Sequence, residues 1–568
     1  MQKFPRAITP SAAMPLLAFG AMANPLRHAA LTALLSLAAI FGGACTLPTQ
    51  TPPATTRFDL VLRGGVLVDP TTRTTSPGDL GIRAGRIAAL GSFDVAPGTP
   101  VLHVDGLSVA PGFIDVHTHV DADLVRSPNC ANFLRMGVTT LVTGNCGGSV
   151  ERLDLHFGRL ERGGIGPNYG SLVGHGTVRT AVLGTANRAP TDAELQRMCD
   201  LVDTAMQHGA FGMSTGLIYV PGIYSKTAEI TALAKVVGKH GGIYASHIRS
   251  ENDDVLDAIA EALTIGRDAG VPIEISHVKC TGKKNHGRAG EVLAALQKAR
   301  ADGQRVHVDQ YAYDASSTGL DVLFPADELE IGREKFAAKL RDDAAFRQRI
   351  HAALLAKMEQ VGFGDFRYAR IAAAKGHTAL NGMLLPEAAR KHLGRDDRDA
   401  QAELAMELFA AAAPARVSMI YHTMAEADVE RFLREDWIAI ASDAGLRNEG
   451  GVDRPHPRGS GNNPRVLGHY VRDRGVLDLP TAVAKMTTVP AKAFGIVDRG
   501  ELRVGAFADL VVFDPTTVAD RATWQEPVLP PVGIRAVFVN GQLAVDRDQV
   551  TGVRAGHVLR ANTPRQGR

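Results

Sequence analysis

Six side chains in this chain have the chemistry of metal ligands, and each follows an apolar run. His117 and His119 close the stretch Gly112-Phe-Ile-Asp-Val-His-Thr-His119. Cys146 stands in Thr143-Gly-Asn-Cys-Gly-Gly-Ser149, His247 in Ser246-His-Ile-Arg249, His277 in Ser276-His-Val-Lys279 and Asp443 in Ala441-Ser-Asp-Ala-Gly445. Strand side chains alternate faces, so His117 and His119 project together and can hold one ion between two imidazoles. An isolated His-x-His is as often a pair of surface histidines; four more ligands at strand ends shift that balance. Imidazole with thiolate favours Zn²⁺ over Mg²⁺ or Ca²⁺. Two arrangements are open. Cys146 bridges two ions, or it anchors one with His247 and His277, leaving His117, His119 and Asp443 around a second, weaker position. Zinc acidifies a bound water and so makes it a nucleophile near neutral pH.

Scattered residues converge only if the strands carrying them end on one face. From 111 to 490 the chain alternates short apolar runs with helical patterns. The runs are Phe113–Val116, Thr139–Thr143, Gly209–Ser214, Gly242–Ser246, Pro272–Ser276, Val306–Gln310, Val417–Tyr421 and Ile438–Ala441. Helical patterns such as Asp192–His208, Lys226–Lys239, Asn252–Asp268 and Gly290–Ala301 lie between them. Repeated β-α units give a parallel sheet with crossover helices. Roughly eight of them fit an α/β fold of the (β/α)8 TIM-like barrel type, whose strand C-termini share one mouth. Residues 320–411 are more helical, charged and Ala-rich, and read as an insertion or cap over that mouth. Gly-split apolar strands at 58–110 and again at 491–560 predict a small β-sandwich domain built from both ends of the chain.

Residues 1–57 read as a leader and tether. Arg27 and His28 precede the apolar run Ala29–Ile40, and small residues lead to Cys45. This is the pattern of a signal peptide, with an imperfect lipobox that makes Cys45 a candidate lipid anchor. It predicts an exported protein, periplasmic or membrane-anchored as a lipoprotein. The run is short for a transmembrane helix. Lys and Arg number 62 against 60 Asp and Glu, so the charge balance gives no argument for nucleic acid as a partner. The five cysteines are scattered without CxxC spacing and imply no disulfide framework.

The sequence around these ligands resembles the amidohydrolase superfamily, and within it the D-aminoacylase (N-acyl-D-amino-acid deacylase) family. The resemblance rests on Pro111-Gly-Phe-Ile-Asp-Val-His-Thr-His119, Thr143-Gly-Asn-Cys-Gly147, Val173-Gly-His-Gly176 and Ser214-Thr-Gly-Leu-Ile-Tyr-Val-Pro-Gly222. It rests equally on Ser246-His-Ile-Arg-Ser-Glu251, Asp309-Gln-Tyr-Ala-Tyr313, Pro455-His-Pro-Arg458 and Arg499-Gly-Glu-Leu-Arg-Val-Gly-Ala-Phe-Ala-Asp509. It implies zinc-dependent hydrolysis of N-acyl-D-amino acids to a carboxylate and a free D-amino acid. It implies one tight zinc site at Cys146, His247 and His277, and a second, weaker one at His117, His119 and Asp443, with Asp443 as catalytic carboxylate. Lys279, Tyr311, Ser317 and Arg458 match positions associated with the substrate carboxylate or its surroundings, and Tyr219 lies on a loop that touches the substrate side chain. The stretch from Asp443 to Arg458 departs from the family, with Asn448-Glu-Gly-Gly451 inserted. Two other readings compete: a hydrolase of cyclic amides or ureides, in which a lysine carboxylate takes the place of Cys146, and an envelope metal- or ligand-binding lipoprotein.

Overall fold

The computed structural model describes residues 57–447 and 450–561. The leader with Cys45, and Asn448 and Glu449 of the inserted loop, lie outside the described residues. Five strands come first: β1 (Leu60–Asp69), β2 (Thr74–Arg83), β3 (Arg86–Gly91), β4 (Val101–His103) and β5 (Ser108–Pro111). The middle of the chain gives β6 (Phe113–Asp115), β7 (Val138–Thr143), β8 (Asn168–Ser171), β9 (Val173–Gly174) and β10 (Gly212–Gly216). It continues with β11 (Ile243–His247), β12 (Ile273–Ile275) and β13 (Val306–Gln310), then β14 (Ser316–Gly319), β15 (Ala369–Ala373), β16 (Ser418–Tyr421) and β17 (Ala439–Ile440). The C-terminal strands are β18 (Leu510–Phe513), β19 (Ile534–Val539), β20 (Gln542–Asp546) and β21 (Gln549–Val550).

The barrel is closed. β6, β7 and β8 pair in parallel, the chain passes Leu172 into β9, and β9-β10-β11-β12-β13-β17 continue the parallel order. A bridge between Thr118 and Ala444 joins the last stave to the first, with His119 N donating to Ala444 O at 2.9 Å and Asp443 N to His117 O at 2.9 Å. Counting β8 with β9, the staves number eight. They are buried on both faces, so β7 reads Val-Thr-Thr-Leu-Val-Thr without an exposed residue. The crossover helices are amphipathic. Asp192–Gln207 buries Met198, Val202, Ala205 and Met206 against the barrel, and its start is fixed by a Thr191–Glu194 capping box.

One stave differs from the sequence expectation. Val417–Tyr421 does not belong to the barrel: β16 lies antiparallel between β14 and β15 in a separate three-stranded sheet. Its Val-Ser-Met-Ile-Tyr suits any buried strand, and apolar pattern alone does not say which sheet receives it. The true stave, Asn168–Gly174, carries Gly170 in a turn-like sequence. That glycine is required by packing, because a Cβ there would meet the Phe211 ring at 2.3 Å. The three-stranded sheet frames the inserted segment, whose helices Arg333–Asp342, Ala344–Val361, Leu385–Leu393 and Arg398–Ala412 enclose a core of their own around Phe336, Phe346 and Phe409. β18 pairs antiparallel with β5, so strands from both ends of the chain share one order, β21-β20-β19-β18-β5-β1-β2-β3, with β4 on β1. Leu62, Leu80, Val109, Leu510 and Phe538 fill its core.

Lys485 is an unusual member of the helix Leu479–Met486: it is fully buried and donates to the Glu435 carbonyl. Burial, opposed by Asp436 and Glu435, pulls its ammonium down to about 7. Above that pH, up to the ordinary lysine range of about 10.4, the unfolded chain holds a proton the folded chain lacks, so this group makes stability rise with pH. Its cost is fully present below pH 7. Lys485→Met is therefore expected to raise Tm by about 2 °C at pH 6, and the gain should shrink toward pH 10. Calorimetry at the two pH values checks this, and a gain independent of pH would contradict it.

Candidate active site

Three of the six ligands leave their strands in a left-handed backbone: φ is 52° at Cys146, 39° at His277 and 50° at Asp443. Such a conformation costs a non-glycine residue about 1–2 kcal/mol, and all three side chains turn toward one point. Around Cys146 the backbone is packed against its neighbours. A Cβ at Gly144 would lie 2.1 Å from Leu172 O, and one at Gly147 2.9 Å from Gly216 N. Gly148 is different, since its nearest neighbour would be 3.8 Å away, so only the first two glycines are needed for the approach. The loop is held from behind by the helix His175–Leu183, where Thr177 N donates to Gly147 O at 3.1 Å. His175 itself is fixed by Glu229 at 2.9 Å, which also holds Arg179 at 2.5 Å.

The thiol is the hub of the site. Cys146 Sγ lies 3.3 Å from His117 Nε2, 3.5 Å from His247 Nδ1 and 3.5 Å from His277 Nε2. Asp443 Oδ1 is 2.9 Å from His119 Nε2 and 3.7 Å from His117 Nε2. Ligand atoms of His117, Cys146, His277 and Asp443 all lie within 4.8 Å of one another. All six predicted ligands thus meet at the barrel mouth. A thiolate shared by three imidazoles, with a carboxylate beside it, fits Zn²⁺, and its position between the two histidine sets suits a bridge.

Buried carboxylates orient these rings. Asp309 Oδ2 lies 3.0 Å from His117 Nδ1, and its Oδ1 accepts from His277 N at 2.8 Å. A proton on His117 Nδ1 leaves Nε2 free as a ligand atom. Asp115 accepts from Ser442 N at 3.1 Å and from His117 N at 3.2 Å, tying the first and last staves together beside Asp443. Sequence reasoning gave no role to Asp115 or Asp309, nor to Glu251, although all three lie inside the motifs that pointed to the site.

Glu251 accounts for where Lys279 goes. Glu251, His247 and His277 form a second cluster of ligand type. The Lys279 ammonium already fills it, at 2.5 Å from Glu251 Oε1 and 2.8 Å from His277 Nδ1. Lys279 therefore braces a histidine from behind, buried beside the cluster of candidate ligands. Tyr311 is likewise 1 % exposed, its hydroxyl 3.5 Å from Met424 Sδ and its ring 4.5 Å under the Arg458 guanidinium. It supports Arg458 by cation–π stacking. Arg458, Ser317 and Tyr219 line a cavity, together with Cys146, His119 and Asp443. The cavity measures about 730 Å³.

The charges are arranged to keep Asp443 ionised. Burial would raise its carboxyl pKa, but Arg458 Nη2 at 2.9 Å and the nearby His277 and His119 hold it well below the ordinary carboxylate range. Burial likewise opposes the Cys146 thiolate, and His117 and His277 overcome it, so its pKa falls well below 9. Among the described residues Arg458 Nε and Nη1 are buried without a partner, so the guanidinium keeps unused donor capacity.

Comparison with known proteins agrees with this geometry. Residues 103–545 match the amidohydrolase family. The chain is 38 % identical over 525 residues to the D-aminoacylase of Alcaligenes xylosoxydans xylosoxydans, covering 88 % of this chain and 97 % of that one. It is 36 % identical over 531 residues to the N-acyl-D-aspartate deacylase of the same organism, with 89 % and 96 % covered. Among solved structures, the N-acyl-D-glutamate deacylase of Bordetella bronchiseptica, complexed with zinc and a phosphonate inhibitor, has a TM-score of 0.74 and 35 % identity, covering 89 % of this chain and 100 % of that one. The chain belongs to the amidohydrolase family, and within it to the D-aminoacylases.

Proposed function

We propose that this protein hydrolyses the amide bond of N-acyl-D-amino acids in a zinc-dependent reaction, releasing a carboxylate and a free D-amino acid. The observation that carries this reading is the Cys146 thiol within 3.5 Å of three imidazoles, beside a buried carboxylate held by an arginine. Cys146, His247 and His277 would hold one tight zinc, and His117, His119 and Asp443, with the shared thiolate, a second and weaker one. Zinc supplies polarisation of the amide carbonyl and acidification of water.

The chain's own residues do the rest. Asp443 takes the proton of the attacking water on its carboxylate and delivers it to the amide nitrogen, without which the amine leaves very slowly. Arg458 binds the substrate α-carboxylate through Nη1, while its Nη2 keeps Asp443 in place. Tyr311 holds the guanidinium plane from below. His119 steadies the second Asp443 oxygen. The test is a panel of paired substrates: N-acetyl-D-amino acids, their L enantiomers, and N-acetyl alkylamines that lack the carboxylate. The D acids should be cleaved, with L and carboxylate-free partners slower by about 100-fold or more. Cleavage of cyclic amides with no turnover of the D panel would overturn the reading.

We further propose export with a lipid anchor at Cys45, supported by the basic start, the apolar run and the small residues before the cysteine. Among the described residues no helix is long and apolar enough to cross a membrane. Membrane association that Cys45→Ala abolishes is the expected result in cell fractionation. Retention of the full chain in the cytoplasm would contradict it.

A further inference from the structure

Three arginines face the catalytic cavity: Arg416, Arg447 and Arg458. Arg416 is paired with Asp321 at 2.7 Å and Arg458 with Asp443 at 2.9 Å. Arg447 has no carboxylate partner among the described residues. Among these residues its one side-chain hydrogen bond runs from Nη1 to the Leu446 carbonyl at 3.1 Å, and its Nε is buried with none. Burial, followed by repulsion from Arg458, brings its pKa down to about 10. A cation so placed is costly unless an anion joins it.

The guanidinium is also held in position. Asn132 staples the loop that carries it to the helix Arg458–Arg465, its Nδ2 donating to Gly459 O at 2.7 Å and to Gly445 O at 3.3 Å. The Arg447 side chain lies flat on Gly459, the residue after Arg458, and a Cβ at Gly459 would fall 2.6 Å from Nε. Of the described carboxylates near it, Asp443 attracts it but is shared by Arg458 and His119, and Asp123 of the cavity wall pairs with Arg126.

We propose that Arg447 is a specificity residue that, beside Arg458, selects dianionic substrates: N-acyl-D-amino acids with a second carboxylate in addition to the α-carboxylate. This rests on the deacylase reading above and narrows it. A planar guanidinium with unpaired donors takes a carboxylate in a forked hydrogen bond. The second carboxylate comes from either of two places, the amino-acid side chain or a dicarboxylic acyl group.

The experiment compares kcat/KM for four substrates of the zinc-loaded enzyme: N-acetyl-D-glutamate, its isostere N-acetyl-D-glutamine, N-succinyl-D-leucine and N-acetyl-D-leucine. One acid should exceed its neutral counterpart by about 10- to 100-fold, and which pair shows the excess identifies the source of the carboxylate. Arg447→Met keeps the side-chain stem and should reduce that ratio to near one through KM, with Arg447→Lys restoring part of it. Gly459→Ala leaves the charge in the chain but displaces the guanidinium, and should also lower the ratio; it serves if Arg447→Met fails to fold. Neutral substrates cleaved as well as both acids, or a ratio unchanged in Arg447→Met and Gly459→Ala, would overturn this inference alone. No cleavage of any of the four would overturn the deacylase reading and this inference with it.

Discussion

Asp443→Asn is expected to lower kcat/KM on N-acyl-D-amino acids by about 10³-fold while the variant still binds one equivalent of zinc. The substitution isolates chemistry from folding. Asparagine has the same shape, and with aspartate it is among the few residues that tolerate the left-handed backbone found at this position, where φ is 50°. The backbone contact of residue 443 with His117 O is retained. What is lost is a carboxylate that stays ionised because Arg458 lies 2.9 Å away. An amide neither accepts a proton from water nor returns it to the leaving nitrogen. Stopped assays of amine release, with zinc content measured on the same samples, check the expectation. Near wild-type turnover in a zinc-loaded Asp443→Asn protein would remove Asp443 from the proton path.

Cys146→Ala should have the second large effect, a loss of zinc affinity of about 10³-fold or more with activity falling in step. Alanine has the same Cβ as cysteine, so the left-handed φ of 52° costs no more than before. The change removes one sulfur that lies within 3.5 Å of His117, His247 and His277. The ion would then lose its one sulfur ligand and the negative charge that lies between the histidines. Competition with a chromophoric chelator measures the affinity. Wild-type affinity in Cys146→Ala would mean that the histidines and Asp443 hold the ion without the thiolate.

The ligands were legible because each ends an apolar run, and a parallel barrel brings such ends to one mouth. The same logic misassigned β16, since a buried Val-Ser-Met-Ile-Tyr strand looks alike in a barrel and in the sheet of the insertion. It missed Asn168–Gly174, where close packing on Phe211 demands a glycine and erases the β-rich pattern. Residue type said that Arg458, Lys279 and Tyr311 belong near the site, but not how they are arranged there. A lysine and a tyrosine near a site suit a carboxylate clamp equally well on paper. Only the fold shows that Glu251 holds the lysine beneath His277 and that the tyrosine lies under Arg458. Arg447 had no signal at all: it precedes the inserted loop, and that no carboxylate among the described residues pairs with it is visible only once the chain is folded.

Zinc back-titration of chelator-treated protein, following amine release from an N-acetyl-D-amino acid, tests the central claim most directly. Activity should be absent without metal and should rise in proportion to zinc up to one equivalent. Hydrolysis indifferent to the chelator, or zinc-replete protein that releases no amine from any D substrate, would contradict the account.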